Sequence, residues 1–315
     1  ELRGRVAGML GATSGELALV ASTSAGLATV ASAVDYTKRP RVVISELDFP
    51  TLGYQWMARD GVEVVRVPSD DGATIDPARF AEAVDERTAV LATSHVFFTT
   101  GAIQDLRALA DIAHRNGALF LVDAYQSVGQ VPVDVREVDA DVFLTGPLKW
   151  LLGGPGLAYL YVKRERIDGL RPRITGWFAA KDQFAFDITN LEFRDDAARF
   201  ELGTPSLPTV HAALGGQDII DEIGVPAIRE RNVELTERLI VRARGAGYRV
   251  RCAPAAEQRS AIVMIAHDQP HDVVAALAAQ DVIVDARPGY VRVSPHFYNT
   301  SAEVDRVIDI LAAET

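Results

Sequence analysis

The sequence predicts an α/β fold: a large domain on a mostly parallel seven-stranded sheet, followed by a smaller C-terminal α/β domain. Two observations carry this expectation. Short aliphatic and β-branched runs alternate with helix-period segments through the first two thirds of the chain, and the pattern changes after Gly203-Thr204-Pro205. Strands separated by helix-length segments argue for parallel pairing, because the crossover between parallel strands is long and covers a sheet face.

Taken in order, strands are expected at 17–20, 41–45, 63–67, 89–94, 118–122, 141–145 and 157–162. Helix-period segments lie between most of them. One runs over 104–116 and stops at Gly117, the residue type that most readily leaves a helix. Beyond Gly203 a long helical stretch spans 210–244, broken near Gly224-Val225-Pro226. Weaker strands follow at 248–252, 261–265, 282–285 and 290–294, with helices at 270–280 and 301–313. This divides the chain into a large domain over 1–207, and a helical connection with a small domain over 208–315.

Composition narrows the function. The chain has 315 residues, 48% hydrophobic, which is enough for a sizeable core. Its net charge of -11, with no run of Lys or Arg, argues against nucleic acid or an anionic membrane as partner. No apolar stretch approaches the roughly 18 residues that span a bilayer. The opening residues carry no signal-peptide pattern. The single cysteine, Cys252, excludes an intrachain disulfide. Together these lead to an expected cytoplasmic location. Glu1 falls partway into a helical pattern, so residues upstream are expected.

The run VFLTGPLKWLLGGPG, residues 142–156, holds one charged side chain, Lys149. The ordinary reading is a snorkelling lysine at a helix edge. The alternative is an amine that gives up its proton and forms an imine. Ligands of open α/β sheets bind beyond the carboxyl ends of the strands, and other polar residues fall there too. LVDAYQS ends a strand at Asp123 and continues to Gln126. Ser22-Thr23-Ser24 ends the first strand and opens a helix, whose free N–H groups suit a phosphate. Singly, these residues are a turn or a helix cap. Jointly they describe a pyridoxal 5′-phosphate (PLP) site. Lys149 supplies the Schiff base, Asp123 keeps the pyridine nitrogen protonated, and Thr23 and Ser24 hold the phosphate.

These motifs resemble the class V aminotransferase group of fold-type I PLP-dependent enzymes, and within it kynureninases most. TSHVFFTTGAIQDLRALADIAHRNGALFLVDAYQSVGQVPVDV followed by ADVFLTGPLKWLLGGPG is similar to the group's core pattern. DFPT at 48–51, GWF at 176–178 and RFELGTPS at 199–206 resemble kynureninases, and VRVSPHFYNTSAEVD at 291–305 resembles a C-terminal motif shared across the group. The resemblance implies roles for further residues. Gln126 contacts the cofactor's phenolic oxygen, Phe49 stacks on the ring, and the Trp177 indole helps hold the phosphate. Thr204 reaches the phosphate of a partner subunit in a homodimer, and Arg292 binds the substrate α-carboxylate. The ordinary readings are core aromatics for Phe49 and Trp177, and an outward-pointing strand residue for Arg292.

The chain departs from kynureninases at Gln126, where they carry histidine, and at Leu148, where they carry tyrosine. An asparagine that touches the cofactor in many class V enzymes is matched to Phe97, which cannot make that hydrogen bond. Cysteine desulfurases need a nucleophilic cysteine just before the C-terminal arginine, where this chain reads VDARPGYVR. Cys252 lies earlier, in an expected strand. His95 ends a strand and is a candidate either for the pocket wall or for a structural histidine. His267 and His271 have no third ligand in view, so no metal is expected.

The expected function is PLP-dependent chemistry at the β-carbon of a small amino acid, as a kynureninase-like hydrolase or a β-lyase. Amino transfer to a keto acid is the alternative. A non-catalytic binding protein on a degenerate PLP fold is the third reading. Neither G-x-x-x-x-G-K-[ST] nor G-x-G-x-x-G occurs.

Overall fold

A computed structural model describes residues 1–313. The strands of the large sheet are β1 (Leu17–Val20), β2 (Arg41–Ser45), β3 (Glu63–Val67), β4 (Thr88–Ser94), β5 (Leu119–Asp123), β6 (Val142–Thr145) and β7 (Ala158–Val162). Their order is β1-β7-β6-β5-β4-β2-β3. β7 pairs antiparallel with both neighbours, and the other pairs are parallel, so the remaining six strands end at one edge.

Alternation along these strands builds a core on each face. Leu17, Val43, Leu91, Phe120, Val122 and Phe143 pack on one side; Ala18, Val42, Val90, Leu121, Val142 and Leu144 pack on the other. The helices are α1 (Leu2–Met9), α2 (Thr23–Ala33), α3 (Pro50–Met57), α4 (Pro77–Ala83), α5 (Leu106–Arg115) and the short α6 (Arg164–Ile167). α2 and α3 cover the second face through Leu27, Val30, Leu52 and Trp56. α1 and α5 cover the first, with Val6, Leu106, Leu109 and Ala110. α5 shows why its pattern was legible: Asp105 caps its N-terminus by accepting from the Ala108 N–H, and its apolar residues recur at helical spacing.

α7 (Leu207–Ile223) and α8 (Val225–Gly245) meet at Gly224. Beyond them β8 (Val250–Arg251), β9 (Val263–Ala266), β10 (Asp285–Arg287) and β11 (Tyr290–Val293) form a separate antiparallel sheet in the order β10-β11-β9-β8. α8, α9 (Pro270–Ala278) and α10 (Ser301–Ala313) cover one face of it, where Leu239, Val273, Leu277, Val307 and Leu311 meet Ile265, Val291 and Val293.

One strand differs from expectation. The strand expected at 282–285 instead occupies Asp285–Arg287. Asp281 adopts φ 61 and the Val282 N–H returns to the Leu277 carbonyl, so residue 282 still closes α9. Pro288 and Gly289 then turn the chain, with Gly289 at φ 75, and pair Arg287 with Tyr290.

Candidate active site

Three central strands end side by side. Ser94 of β4 pairs with Asp123 of β5, and Asp123 with Leu144 of β6. Just beyond this edge, a cavity of about 270 Å3 is lined by Ser22, Thr23, Ser24, Phe49, Thr51, Ser94, Val96, Phe98, Asp123, Tyr125, Gln126 and Lys149. Thr23, Ser24, Phe49, Asp123, Gln126 and Lys149, all expected from the sequence, thus converge on one hollow.

Lys149 leaves β6 through Gly146-Pro147-Leu148. Gly146 is required there, because a Cβ would lie 2.6 Å from the Tyr125 ring. Trp150 anchors the following turn: its Nε1–H donates to Gln126 Oε1 at 3.0 Å, and its carbonyl accepts from His296 Nε2 at 3.1 Å. Burial pushes the His296 ring down to about 4, so it is neutral and carries its proton on Nε2. The Lys149 ammonium lies 4.9 Å from the Tyr125 ring centroid. Lys149 is exposed over part of its surface, yet neighbouring protein desolvates its amine. That desolvation, helped by Arg292 and Arg287 and opposed by Asp123, lowers its pKa to about 8.

Asp123 is buried, and its Oδ1 accepts the Tyr125 N–H at 3.0 Å. Burial raises its pKa, while that hydrogen bond and Lys149 pull it back. The phosphate end is the start of α2. Ser22 Oγ accepts from the Ala25 N–H, and Ser24 Oγ bonds Thr51 Oγ1 at 2.8 Å.

PLP fits this donor set. Thr23 Oγ1 is buried at the helix start with no partner. Trp150 occupies Gln126 Oε1, which leaves the amide NH2 end for an acceptor such as a phenolic oxygen. Asp123 faces the cavity as a buried carboxylate within reach of a lysine of lowered pKa.

Beside the cavity, Asp48 ties β2 to β4: Oδ2 accepts the Ser45 N–H at 2.7 Å, and Oδ1 accepts the Ser94 N–H at 2.7 Å and the Thr93 hydroxyl at 3.0 Å. Burial pushes its carboxyl up to about 6 against those bonds. Asp48→Ala would strand two buried N–H groups, and a urea titration should show a loss of about 3 kcal/mol.

Not every residue expected at the site lines this cavity. Phe97 does not face the cavity; it is fully buried in the core, and Phe98 lines the site, edge-on to Phe49 with centroids 5.1 Å apart. His95 is buried and is not among the residues that line it. Burial holds that ring neutral at about 4, and its Nδ1 has no partner. The cause is strand alternation, which continues past β4 through the Val96–Ile103 bridge, so that 94, 96 and 98 share the cavity side. Trp177 stands outside the lining, clustered with Phe178, Phe184 and Phe186 on an exposed loop that residues 177–186 hold together. Thr204 lines a second hollow with Leu19, Val20, Gly156 and Gly203. Arg292 lies beside the cavity: its Nη1 donates to the Phe98 carbonyl at 3.3 Å, Nη2 pairs with Asp285 at 3.2 Å, and Nε is buried without a partner. Sequence reading missed Thr51, Phe98 and Tyr125; of these, Phe98 was signalled by the two-residue period.

A lysine and a carboxylate lining one cavity beyond a parallel sheet, with a hydroxyl-lined helix start, define a PLP-dependent enzyme of the α/β class. The Aminotransferase class-V family model matches residues 1–307, and the chain belongs to that family. It is 33% identical over 99% of its length to an uncharacterized aminotransferase, YcbU, of Bacillus subtilis, covering 83% of that protein. It is 31% identical over 98% of its length to the kynureninase of Pseudomonas fluorescens, covering 77% of it. In fold it is similar to the apo cysteine desulfurase of Thermococcus onnurineus, with TM-score 0.89 and 24% identity over 99% of this chain and 82% of the other. PLP is the cofactor of the family. Among the described residues no helix is long and apolar enough to cross a membrane.

Proposed function

We propose that this chain cleaves a bond at the β-carbon of a small α-amino acid, as a kynureninase-like hydrolase or a β-lyase, through Lys149. The observation that carries this is the shared cavity of Lys149 and Asp123, with Arg292 beside it. PLP supplies an aldehyde for amine capture and a ring that accepts electron density. Lys149 takes a proton from the substrate Cα and returns one, a task suited to an amine of pKa about 8. Asp123 would hold the proton on the ring nitrogen. Thr23 and Ser24 would donate to the phosphate, the Gln126 amide would donate to the phenolic oxygen, and Phe49 would lie against the ring. Arg292 would fix the α-carboxylate; its buried Nε has no partner within the chain.

Kynureninase relatives support this reading. Cys252 packs half-buried against the small-domain core and not at the cavity, which argues against a persulfide-forming cysteine. We place Thr204 and Trp177 at the phosphate of a second subunit, because both lie outside this chain's own cavity. Amino transfer is the second reading, favoured by the likeness to an uncharacterized aminotransferase.

Incubation of the PLP-loaded enzyme with single amino acids decides between them. The first reading predicts turnover without a keto acid and with the cofactor spectrum restored after each cycle. Stoichiometric conversion to pyridoxamine phosphate, with turnover only when a keto acid is added, would establish the second.

A further inference from the structure

The β10–β11 hairpin sets Asp285 directly opposite Arg292, and Arg287 opposite Tyr290. Directly opposed residues share a face, as do residues two apart along a strand, so Asp285, Arg287 and Arg292 project together. Val291 and Val293 point the other way, into the small-domain core. The shared face is the one from which Arg292 reaches the carbonyl of Phe98, whose own side chain lines the Lys149 cavity.

Both guanidinium groups converge on one oxygen. Asp285 Oδ2 lies 2.6 Å from Arg287 Nη1 and 3.2 Å from Arg292 Nη2. The two arginines are mostly covered, at 26% and 18% exposure, whereas Asp285 is 47% exposed and shares its charge with water. One carboxylate balances one of the two cations, so the face keeps a surplus positive charge. Both cations are felt in the cavity, since each lowers the proton affinity of Lys149.

We propose that the substrate is an α-amino acid whose side chain carries a second anionic group, and that Arg287 receives that group while Arg292 holds the α-carboxylate. The inference rests on the amino-acid reading of the Lys149 site and specifies its substrate class. A substrate with a neutral side chain leaves Arg287 on Asp285 and gains nothing from it. A dianion meets two arginines already gathered by the hairpin, and Asp285, open to water, gives way. The planar, five-donor guanidinium suits this exchange of one carboxylate for another.

The test compares glutarate with butyrate, a dianion and a monoanion of similar chain length. Calorimetric titration at fixed ionic strength is run on the protein with and without PLP. Glutarate should bind at least about 10-fold more tightly than butyrate, the scale of one charge-assisted contact. Arg287→Gln should bring glutarate to the butyrate level, Arg287→Lys should keep part of the difference, and Asp285→Asn should widen it. Equal affinities in the unaltered protein, or a difference that survives R287Q, would overturn the proposal. Borohydride trapping of PLP on Lys149 is scored separately, so failure of the cofactor reading is distinguishable from failure of the dianion preference.

Discussion

Lys149→Ala is expected to lower turnover roughly 10,000-fold, the upper range for losing a positioned proton-transfer group. It should also abolish the covalent PLP adduct that borohydride traps. The cavity explains why no neighbour substitutes. Among the described residues, Lys149 is the only lysine or histidine in the lining, and His95, outside that lining, has its ring held neutral by burial. The same environment gives a pH signature. An amine attacks an aldehyde only as the free base. With its pKa lowered to about 8, the fraction of free base rises about tenfold per pH unit below that value and levels off above it. The rate of PLP attachment to cofactor-free protein, divided at each pH by the rate per unprotonated molecule of a small reference amine, should follow that curve. A rise that continued to the ordinary lysine range would show that the amine is not desolvated. A variant that retained the trapped adduct after K149A would remove Lys149 from the mechanism.

Much of the large domain was legible because its rules are local. The limits expected for β1, β2 and β3 coincide with those observed, since each is a short run rich in Val, Leu or Ile bounded by polar or turn residues. Lys149, Asp123 and Thr23 were legible for a different reason: each falls at or just past the end of a strand, and a parallel sheet brings such positions to one edge. What was lost depended on register and on three-dimensional closure. The choice between Phe97 and Phe98 turned on whether strand alternation continues past Ser94, which the bridge from Val96 to Ile103 decides. Tyr125 could not be singled out, because its place beside Lys149 arises from the room at Gly146 on another loop. Arg287 gained meaning only when the Pro288-Gly289 turn set the hairpin register and brought it to the Arg292 face. Trp177 and Thr204 were assigned from motif resemblance, and a single chain keeps both outside the cavity.

Asp123→Asn should separate cofactor capture from catalysis. The substitution preserves shape and the acceptor for the Tyr125 N–H, so the adduct with Lys149 should still form. Turnover should fall roughly 100- to 1,000-fold, the usual cost of removing one preorganised electrostatic contact. The argument is one of charge. Buried Asp123 is costly to ionise alone, which is why its pKa is raised in the protein without a ligand. A protonated ring nitrogen placed against it reverses that preference, because an opposite charge at close range favours the carboxylate. The carboxylate in turn keeps the ring nitrogen protonated, and an asparagine amide cannot. A cofactor analogue with carbon in place of that nitrogen provides the control. With it, the unaltered enzyme and D123N should turn over at the same low rate, since no nitrogen remains for Asp123 to act on. A large difference persisting with the analogue would mean that Asp123 acts elsewhere, through the Tyr125 backbone or the neighbouring Lys149 amine.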